Sequence, residues 1–462
     1  MEPHLLAALL IGVAVVVAVI LWTRLDAFIG LLAGALVTGL IAGLAPADVL
    51  GLVTTGFGNT LAGIGIVIAL GVMIGKVLEE SGGADALAKA FVRMAGKGRE
   101  DVAMTATGAV VSVPVFCDSG FVILHPLARS LARKYGKPLV VVSLALAGGL
   151  SVTHHMVPPT PGPLAAVGLL GADMGLVIVA GLVFSVVLLP VVVIYTRLVG
   201  PGLERHLDPT LVAAQGGGSG GTGSGGTGVM VNGRDIAEEP ADPGIGAFRA
   251  SVPLLLPLLL IIANTVTAAA AEGTRIAQVF GVVGDPAVAL LIGLVIAVYL
   301  LPPRGTRRTT VVGWLTTAAA SAGMIVFITG AGGAFGEVLR GSGVGEALAD
   351  AVSGWAVPMF LLPFIIASFV RIAQGSGTVA IITSATLSAP IVEAAGMSPT
   401  LAVLSACAGS IVFSYFNDSY FWVVTRFTGL SGVPALKMWS GMTTTLWLAS
   451  LPVLGVAALI LG

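Results

Sequence analysis

Long apolar runs, separated by short polar or charged segments, extend along almost the whole chain. A helix needs about 20 predominantly apolar residues to cross a bilayer. Runs bounded by charge, Pro or Gly approach or exceed that length at about 4–22, 27–45, 56–78, 138–170, 175–198, 251–271, 283–302, 311–338, 399–428 and 442–461. The pattern predicts an all-α polytopic membrane protein with five spans in each half.

Two further apolar segments, at about 102–130 and 356–391, are each interrupted by polar and small residues. The interruptions fall at 116–120 and 371–377, and they leave legs of about 12 to 15 residues, which are too short to span. We therefore expect one re-entrant helical hairpin in each half, with non-helical backbone at its tip. A pair of kinked full spans is the alternative.

The end of the third span recurs in the second half. GKVLEESGGADALAKA, from Gly75, returns 261 residues later as GEVLRGSGVGEALADA, from Gly336, with nine of sixteen positions identical. The third and eighth spans are an odd number of crossings apart, so the two copies enter the membrane from opposite sides. The sequence predicts two inverted-topology repeats, residues 1–200 and 251–462, an arrangement typical of secondary transporters.

Residues 201–250 join the two repeats and include a Gly/Ser/Thr run that begins at Gly216. Such a composition is typical of a flexible linker. Residues 84–95 alternate apolar and charged positions at helical spacing, which predicts an amphipathic helix at the membrane interface.

The distribution of Lys and Arg predicts the orientation. Most basic residues near span ends fall on one side of the ten-span scheme, and only Arg275 and Arg340 fall in loops on the other. The basic side is expected to face the cytoplasm. The protein is then located in the cell (inner) membrane, with both termini on the outer side and the linker in the cytoplasm.

Composition supports the membrane assignment, with 56% hydrophobic residues, 10% charged residues and a mean hydropathy of +1.04. The net charge of -1 offers no basic face for nucleic acid. Cys117 and Cys407 both lie in apolar surroundings and form neither a CxxC motif nor a disulfide framework. We expect contact with membrane lipid and no metal ion or other cofactor.

Four polar clusters interrupt the apolar segments, at 118–120 and 374–378 in the hairpin tips and at 153–155 and 417–419 within the fourth and ninth spans. Polar groups inside a bilayer are costly, so they mark functional sites. Breaks rich in Gly and Pro free backbone groups, and helix N-termini attract a carboxylate. The clusters predict a midplane site for a small hydroxylated anion. Its candidate substrate-binding residues are Ser119, Gly120, Thr153, His154, Thr160, Arg371, Gly375, Ser376, Gly377, Thr378, Asn417 and Ser419.

Four titratable residues are candidates for carrying a coupled proton: Asp118, Asp418, His154 and His155. Buried carboxyl groups and histidines both exchange protons near neutral pH. Each carboxylate has the alternative of a permanent ion pair, and each histidine that of a packing residue. Arg371 either clamps a substrate carboxylate or neutralises one of the two aspartates.

Three motifs in order resemble the gluconate:proton symporter (gluconate permease) family. They are Thr153-His154 followed by VPPTPGP from Val157, Arg371 followed by GSGTVA from Gly375, and Asn417-Asp418-Ser419 followed by Phe421-Trp422. The resemblance runs from about Gly56 to Trp447, apart from the linker. It implies the fold of the ion transporter superfamily, in which a mobile transport domain moves against a scaffold domain, usually in a homodimer. It also implies proton-driven uptake of gluconate or a related sugar acid.

This chain departs from the family pattern inside the expected site. Cys117-Asp118-Ser119-Gly120 stands where family members have Phe-Glu-Val-Gly, Tyr420 stands where Gly is common, and His155 follows the family-like His154. Members of the family also carry D-serine, fructuronate, idonate or glycerate-like acids. The departures therefore leave the identity of the carboxylate open.

Together these features predict a proton-coupled importer of a small hydroxy-carboxylate that works by alternating access, in which the two hairpins and the two broken spans move as a unit against the remaining helices. A sodium-coupled carboxylate carrier is one rival, because broken helices expose carbonyl groups that bind Na⁺. An intramembrane enzyme using His154, His155 and Asp118 is the other, although no metal triad or activated nucleophile accompanies these residues.

Overall fold

The computed structural model describes residues 3–22, 27–95, 98–208, 245–271, 273–344, 358–415 and 417–461. Within these residues the regular structure is entirely helical, with no β-strand. Most of the linker lies outside the described residues, as do Phe416 and the end of the second copy of the repeat beyond residue 344.

The described residues of the first half form nine α-helices. They are α1 (Pro3–Trp22), α2 (Ala27–Ile41), α3 (Pro46–Glu80), α4 (Gly83–Ala95), α5 (Glu100–Val111), α6 (Cys117–Tyr135), α7 (Leu139–Met156), α8 (Pro161–Leu170) and α9 (Met174–Leu203). The amphipathic segment predicted at 84–95 is α4. The legs of the first predicted hairpin are α5 and α6.

The described second half continues with α10 (Ala247–Ala270), α11 (Arg275–Val283), α12 (Pro286–Leu300), α13 (Arg308–Gly341), α14 (Leu361–Gln374), α15 (Gly377–Ala394), α16 (Pro399–Gly409), α17 (Ser419–Thr428) and α18 (Gly432–Leu461). The legs of the second predicted hairpin are α14 and α15. Residues 436–440 of α18 form a π-helical stretch.

By length and composition, seven described segments are able to cross a membrane, or eight if the pair α11 and α12, bent by 61°, counts as one span. The continuous stretch Leu139–Leu170, formed by α7 and α8, is one of them, and α15 is another. Helices α2, α14 and α16 are apolar but shorter. The all-helical, multi-span character is thus confirmed, whereas the ten-span count and the inverted repeat stay predictions.

Two sets of helices pack most closely among themselves. In one set α3 crosses α13, and α2 packs against both. The crossing is tight because glycines face each other: a Cβ at Gly56 would clash with the backbone at Gly333, and one at Gly330 with the ring of Phe57. In the other set α5, α6 and α9 surround α7, while α15 packs against α8, α14 and α16.

The helix breaks differ in position from those expected within the fourth and ninth spans. α7 continues through His154 and His155 and ends at Met156, so the break is at 157–160. Two consecutive prolines, Pro158 and Pro159, explain this position, because proline lacks the amide proton of a continuing helix. The second break is longer than expected, because α16 ends at Gly409 and α17 begins only at Ser419.

Candidate functional site

The predicted polar clusters meet around a cavity of about 290 Å³ between α6, α7, α14, α15 and α17. Its lining consists of Phe116, Cys117, Asp118, His154, His155, Arg371, Gln374, Gly375, Ser376, Gly377, Thr378, Asn417, Asp418, Ser419 and Tyr420. These residues come from both hairpin-like pairs and from both broken spans. Positions separated by some 300 residues in the sequence therefore share one site: Ser419 Oγ donates a hydrogen bond to Asp118 Oδ1 at 3.2 Å.

Three helix N-termini border the cavity. α6 begins at Cys117 without a side-chain cap, α15 begins after Ser376, and α17 begins after Asp418. The Ser376 hydroxyl accepts a hydrogen bond from Val379 N at 3.3 Å, and Asp418 Oδ1 accepts one from Tyr420 N at 3.1 Å. Each N-terminus carries partial positive charge and unpaired N–H groups. Their convergence favours a bound carboxylate.

Two glycines allow the close approach of the cavity walls. Gly375 ends α14 with φ +88, a conformation that favours glycine, and a Cβ there would clash with the carbonyl of Asn417. A Cβ at Gly377 would clash with Nε2 of His155. The Gly-Ser-Gly sequence thus brings the start of α15 against both broken spans.

Arg371 and Asp418 form a buried ion pair. Arg371 Nη2 lies 2.6 Å from Asp418 Oδ2, and the two side chains are only 4% and 7% exposed. Arg371 Nη1 also donates to the carbonyl of Gly375, and Ser414 Oγ donates to Asp418. Of the two roles expected for Arg371, the structure shows neutralisation of Asp418. Its Nε is buried without a hydrogen-bond partner.

Asp118 has a different environment from Asp418. Besides the Ser419 hydroxyl, the thiol of Cys117 lies near this carboxylate, with Sγ 3.8 Å from Asp118 Oδ2. Within the described residues no Lys, Arg or His forms a salt bridge with Asp118, whereas Asp418 has Arg371. Asp118 is therefore the carboxylate of the cavity that lacks a fixed counter-ion. No group of three or more His, Cys, Asp or Glu side chains able to hold a metal ion occurs in the described part of the chain.

The two histidines of α7 differ in their hydrogen bonds. His155 Nδ1 lies 2.7 Å from the carbonyl oxygen of Ser151, one turn earlier. His154 Nδ1 is buried without a partner, and its ring lies against those of Phe116 and His155, with centroids 5.9 Å and 5.6 Å away. Both histidines line the cavity, and neither is more than 8% exposed.

Four predicted site residues lie outside the lining. Thr153 Oγ1 donates to Ala109 O at 2.7 Å, which joins α7 to α5, and Thr160 Oγ1 donates to Val157 O at 2.6 Å within the break. Gly120 packs against Leu150, and Ser119 interacts with Glu79 on α3. These positions connect the walls of the site to neighbouring helices.

Four lining residues were not among the predicted site residues: Phe116, Cys117, Gln374 and Tyr420. Cys117, Gln374 and Tyr420 are each adjacent to a predicted residue, and that adjacency is the signal that would have found them, whereas Phe116 lies two residues before Asp118. Tyr420 donates through its hydroxyl to Ala147 O on α7 at 3.2 Å. Its ring also packs edge-on against Trp439, with centroids 5.0 Å apart. Tyr420 therefore fixes α17 against α7 as well as bordering the cavity.

Comparisons with known proteins point in one direction. The family model for GntP family permeases matches residues 4–460. The chain is 39% identical over 453 residues to an uncharacterized permease from Haemophilus influenzae, with 96% of this chain and 90% of that protein covered. It is 32% identical over 464 residues to a gluconate permease from Pseudomonas aeruginosa, with 100% and 99% covered.

The fold is also similar to a solved structure, the YdaH transporter from Alcanivorax borkumensis, which is described as having an unusual topology. The TM-score is 0.63 at 17% identity, and the match covers 93% of this chain and 97% of that chain. At this identity the similarity concerns the fold alone, which is that of a membrane transporter.

Proposed function

Since the chain belongs to the GntP family of permeases, we propose that it imports gluconate or a related small hydroxy-carboxylate into the cell together with protons. Membership of the family makes it a multi-pass inner-membrane transporter and not an enzyme. Family membership does not determine the substrate or the coupling ion, and our proposal for both rests on the residues of the cavity.

The observation that carries the choice of substrate is the convergence of three helix N-termini on one small polar cavity. These termini supply the positive potential that a single carboxylate requires. Arg371 adds little to it, because Asp418 already balances its charge. Ser376, Thr378 and Ser419 supply hydroxyl groups to the same lining. The volume of about 290 Å³ is near the lower end of ligand sites, which start at about 300 Å³. A short polyhydroxy acid fits this combination of size and polarity.

Among the residues that the structure describes, three buried polar atoms of the lining have no hydrogen-bond partner: His154 Nδ1, Arg371 Nε and Asn417 Oδ1. Buried polar groups are normally hydrogen-bonded, and leaving one unpaired costs about 1–3 kcal/mol. Hydroxyl and carboxylate groups of a bound sugar acid would satisfy such atoms. An apolar ligand would leave all three unpaired.

Asp118 is our candidate for the coupling proton, because it lacks the fixed counter-ion that Asp418 has in Arg371. A carboxylate without a fixed counter-ion gains more from protonation during a passage through the membrane. His154 remains a candidate as well. We further propose that the helices around the cavity move as one unit against α3 and α13, which is elevator-type alternating access. We also propose that the protein is a homodimer and that the linker lies in the cytoplasm.

The test is uptake of labelled gluconate by proteoliposomes that contain the purified chain. We expect accumulation when an inward proton gradient is imposed and loss of accumulation when a protonophore is added. Replacing Na⁺ with choline at constant pH should leave uptake unchanged. Loss of uptake in choline would replace proton coupling with sodium coupling.

A ligand screen tests the substrate separately. Thermal stability of the purified protein is measured with sugar acids, D-serine and dicarboxylates, because a ligand that binds only the folded state raises its stability. Stabilisation by gluconate or a close analogue supports the proposal. Stabilisation by D-serine or a dicarboxylate, with none by sugar acids, would overturn the choice of substrate.

A further inference from the structure

We propose that His155 determines substrate specificity by accepting a hydrogen bond from one hydroxyl group of the substrate through Nε2. This inference rests on the proposed transport of a hydroxy-carboxylate and deepens it. It assigns His155 a recognition role in place of the proton-carrying role expected from the sequence.

The first argument is the fixed tautomer of His155. Its Nδ1 lies 2.7 Å from the carbonyl oxygen of Ser151. A carbonyl oxygen only accepts hydrogen bonds, so Nδ1 must carry the hydrogen. In a neutral imidazole the other nitrogen is then an acceptor. The ring is 5% exposed and forms no ion pair in the described residues, so nothing offsets the cost of burying a charged imidazolium there.

The second argument is the position of Nε2. His155 lines the cavity, and Nε2 lies against Gly377 at the start of α15. No described residue forms a hydrogen bond with this nitrogen, whereas Nδ1 is bound to the backbone. The acceptor is therefore held in place beside the N-terminus of α15, one of the three helix N-termini that we propose attract the carboxylate. A hydroxyl group near the carboxylate of the substrate is the donor that suits it.

Asn417, which also lines the cavity, supports the same interpretation. Its Nδ2 donates to the carbonyl of Ile372 at 3.0 Å, which fixes Oδ1 as the free end of the amide. Oδ1 is buried without a partner. The lining thus contains two acceptors whose orientation is set by backbone carbonyls. A second carboxylate would meet acceptors there and be repelled, whereas hydroxyl groups would donate to them.

The experiment compares gluconate with its monodeoxy analogues, in each of which one hydroxyl is replaced by hydrogen. Each compound competes with labelled gluconate for uptake by the full-length protein in proteoliposomes. His155→Asn keeps an amide N–H near the position of Nδ1 and removes Nε2. His155→Gln places an amide near the position of Nε2 and preserves an acceptor. His125→Asn, on α6 and outside the cavity lining, is the matched control.

In the unaltered protein we expect one deoxy analogue to bind about five- to tenfold more weakly than gluconate, as one lost hydrogen bond implies. His155→Asn should weaken the binding of gluconate to the level of that analogue and leave the affinity for the analogue itself unchanged. His155→Gln should retain part of the preference. His125→Asn should alter all compounds by the same factor or not at all.

Two outcomes would overturn the assignment. One is that His155→Asn weakens the binding of gluconate and of every analogue by the same factor, which indicates a structural role. The other is that it preserves the binding pattern but abolishes proton-driven accumulation, which indicates a proton carrier. Absence of gluconate binding by the unaltered protein is a distinct result, because it removes the proposed substrate and this assignment together.

Discussion

Replacing Asp418 by Asn tests whether the buried pair with Arg371 is a permanent part of the structure. In the unaltered protein Asp418 Oδ1 accepts a hydrogen bond from Tyr420 N and so caps α17. Asn preserves the shape of the side chain and is also a good N-cap. The substitution removes the charge that lies 2.6 Å from Arg371 Nη2. The guanidinium then stays buried without its counter-ion.

The expected magnitude follows from this burial. Two unit charges about 4 Å apart attract by about 4 kcal/mol at an effective dielectric constant of about 20. Removing one partner of a buried pair costs about 3–5 kcal/mol, because the other charge is left uncompensated. We expect Asp418→Asn to lower the free energy of unfolding by about this amount. Adding Arg371→Met should recover at least about 2 kcal/mol, because the double variant buries no unpaired charge.

The assay is denaturant unfolding in mixed micelles, applied to the two single variants and the double variant as a double-mutant cycle. The pair Arg340 and Glu337 is the control, because its Nη2 to Oε2 distance is 3.3 Å but the two side chains are 46% and 30% exposed. Exposed pairs contribute about 0–1 kcal/mol. Additive losses at Arg371 and Asp418, no larger than in the control, would refute a permanent pair and return Arg371 to the role of substrate clamp.

Three further predictions concern residues around the cavity. Asp118→Asn should abolish uphill accumulation while retaining gluconate exchange, since the variant binds substrate but carries no proton; unchanged concentrative uptake in proteoliposomes would exclude Asp118 from coupling. Gly375→Ala should reduce both stability and uptake, because φ is +88 and a Cβ would clash with the Asn417 backbone. The control Gly136→Ala, at φ +63 with nothing within 4 Å of the added Cβ, should lower the free energy of unfolding by only about 1 kcal/mol, and equal effects of the two substitutions would contradict the close approach at Gly375. Thr153→Val should lower thermal stability, because it removes the hydrogen bond to α5 and one net hydrogen bond contributes about 1 kcal/mol. The KM for gluconate should stay within about twofold of the value for the unaltered protein, and a large rise in KM without loss of stability would return Thr153 to the binding site.

Local sequence signals located most of the cavity residues, because glycine, proline and charge inside an apolar segment are informative by themselves. Asp118, Arg371 and Asn417 were selected in this way, and all three border the cavity. The same reasoning also selected Thr153 and Thr160. Their hydroxyl groups instead donate to backbone carbonyls. The sequence does not distinguish a polar side chain in a span that binds a ligand from one that binds the backbone.

The sequence by itself determined that the chain is an all-helical membrane protein with broken helices, because a bilayer admits few alternatives for long apolar segments. Only the tertiary structure decided which polar groups are already paired. It joins Arg371 to Asp418, leaves Asp118 without a fixed counter-ion and sets the tautomer of His155 through Ser151. Those choices depend on distances between helices that are far apart in the chain, and apolar periodicity carries no information about them.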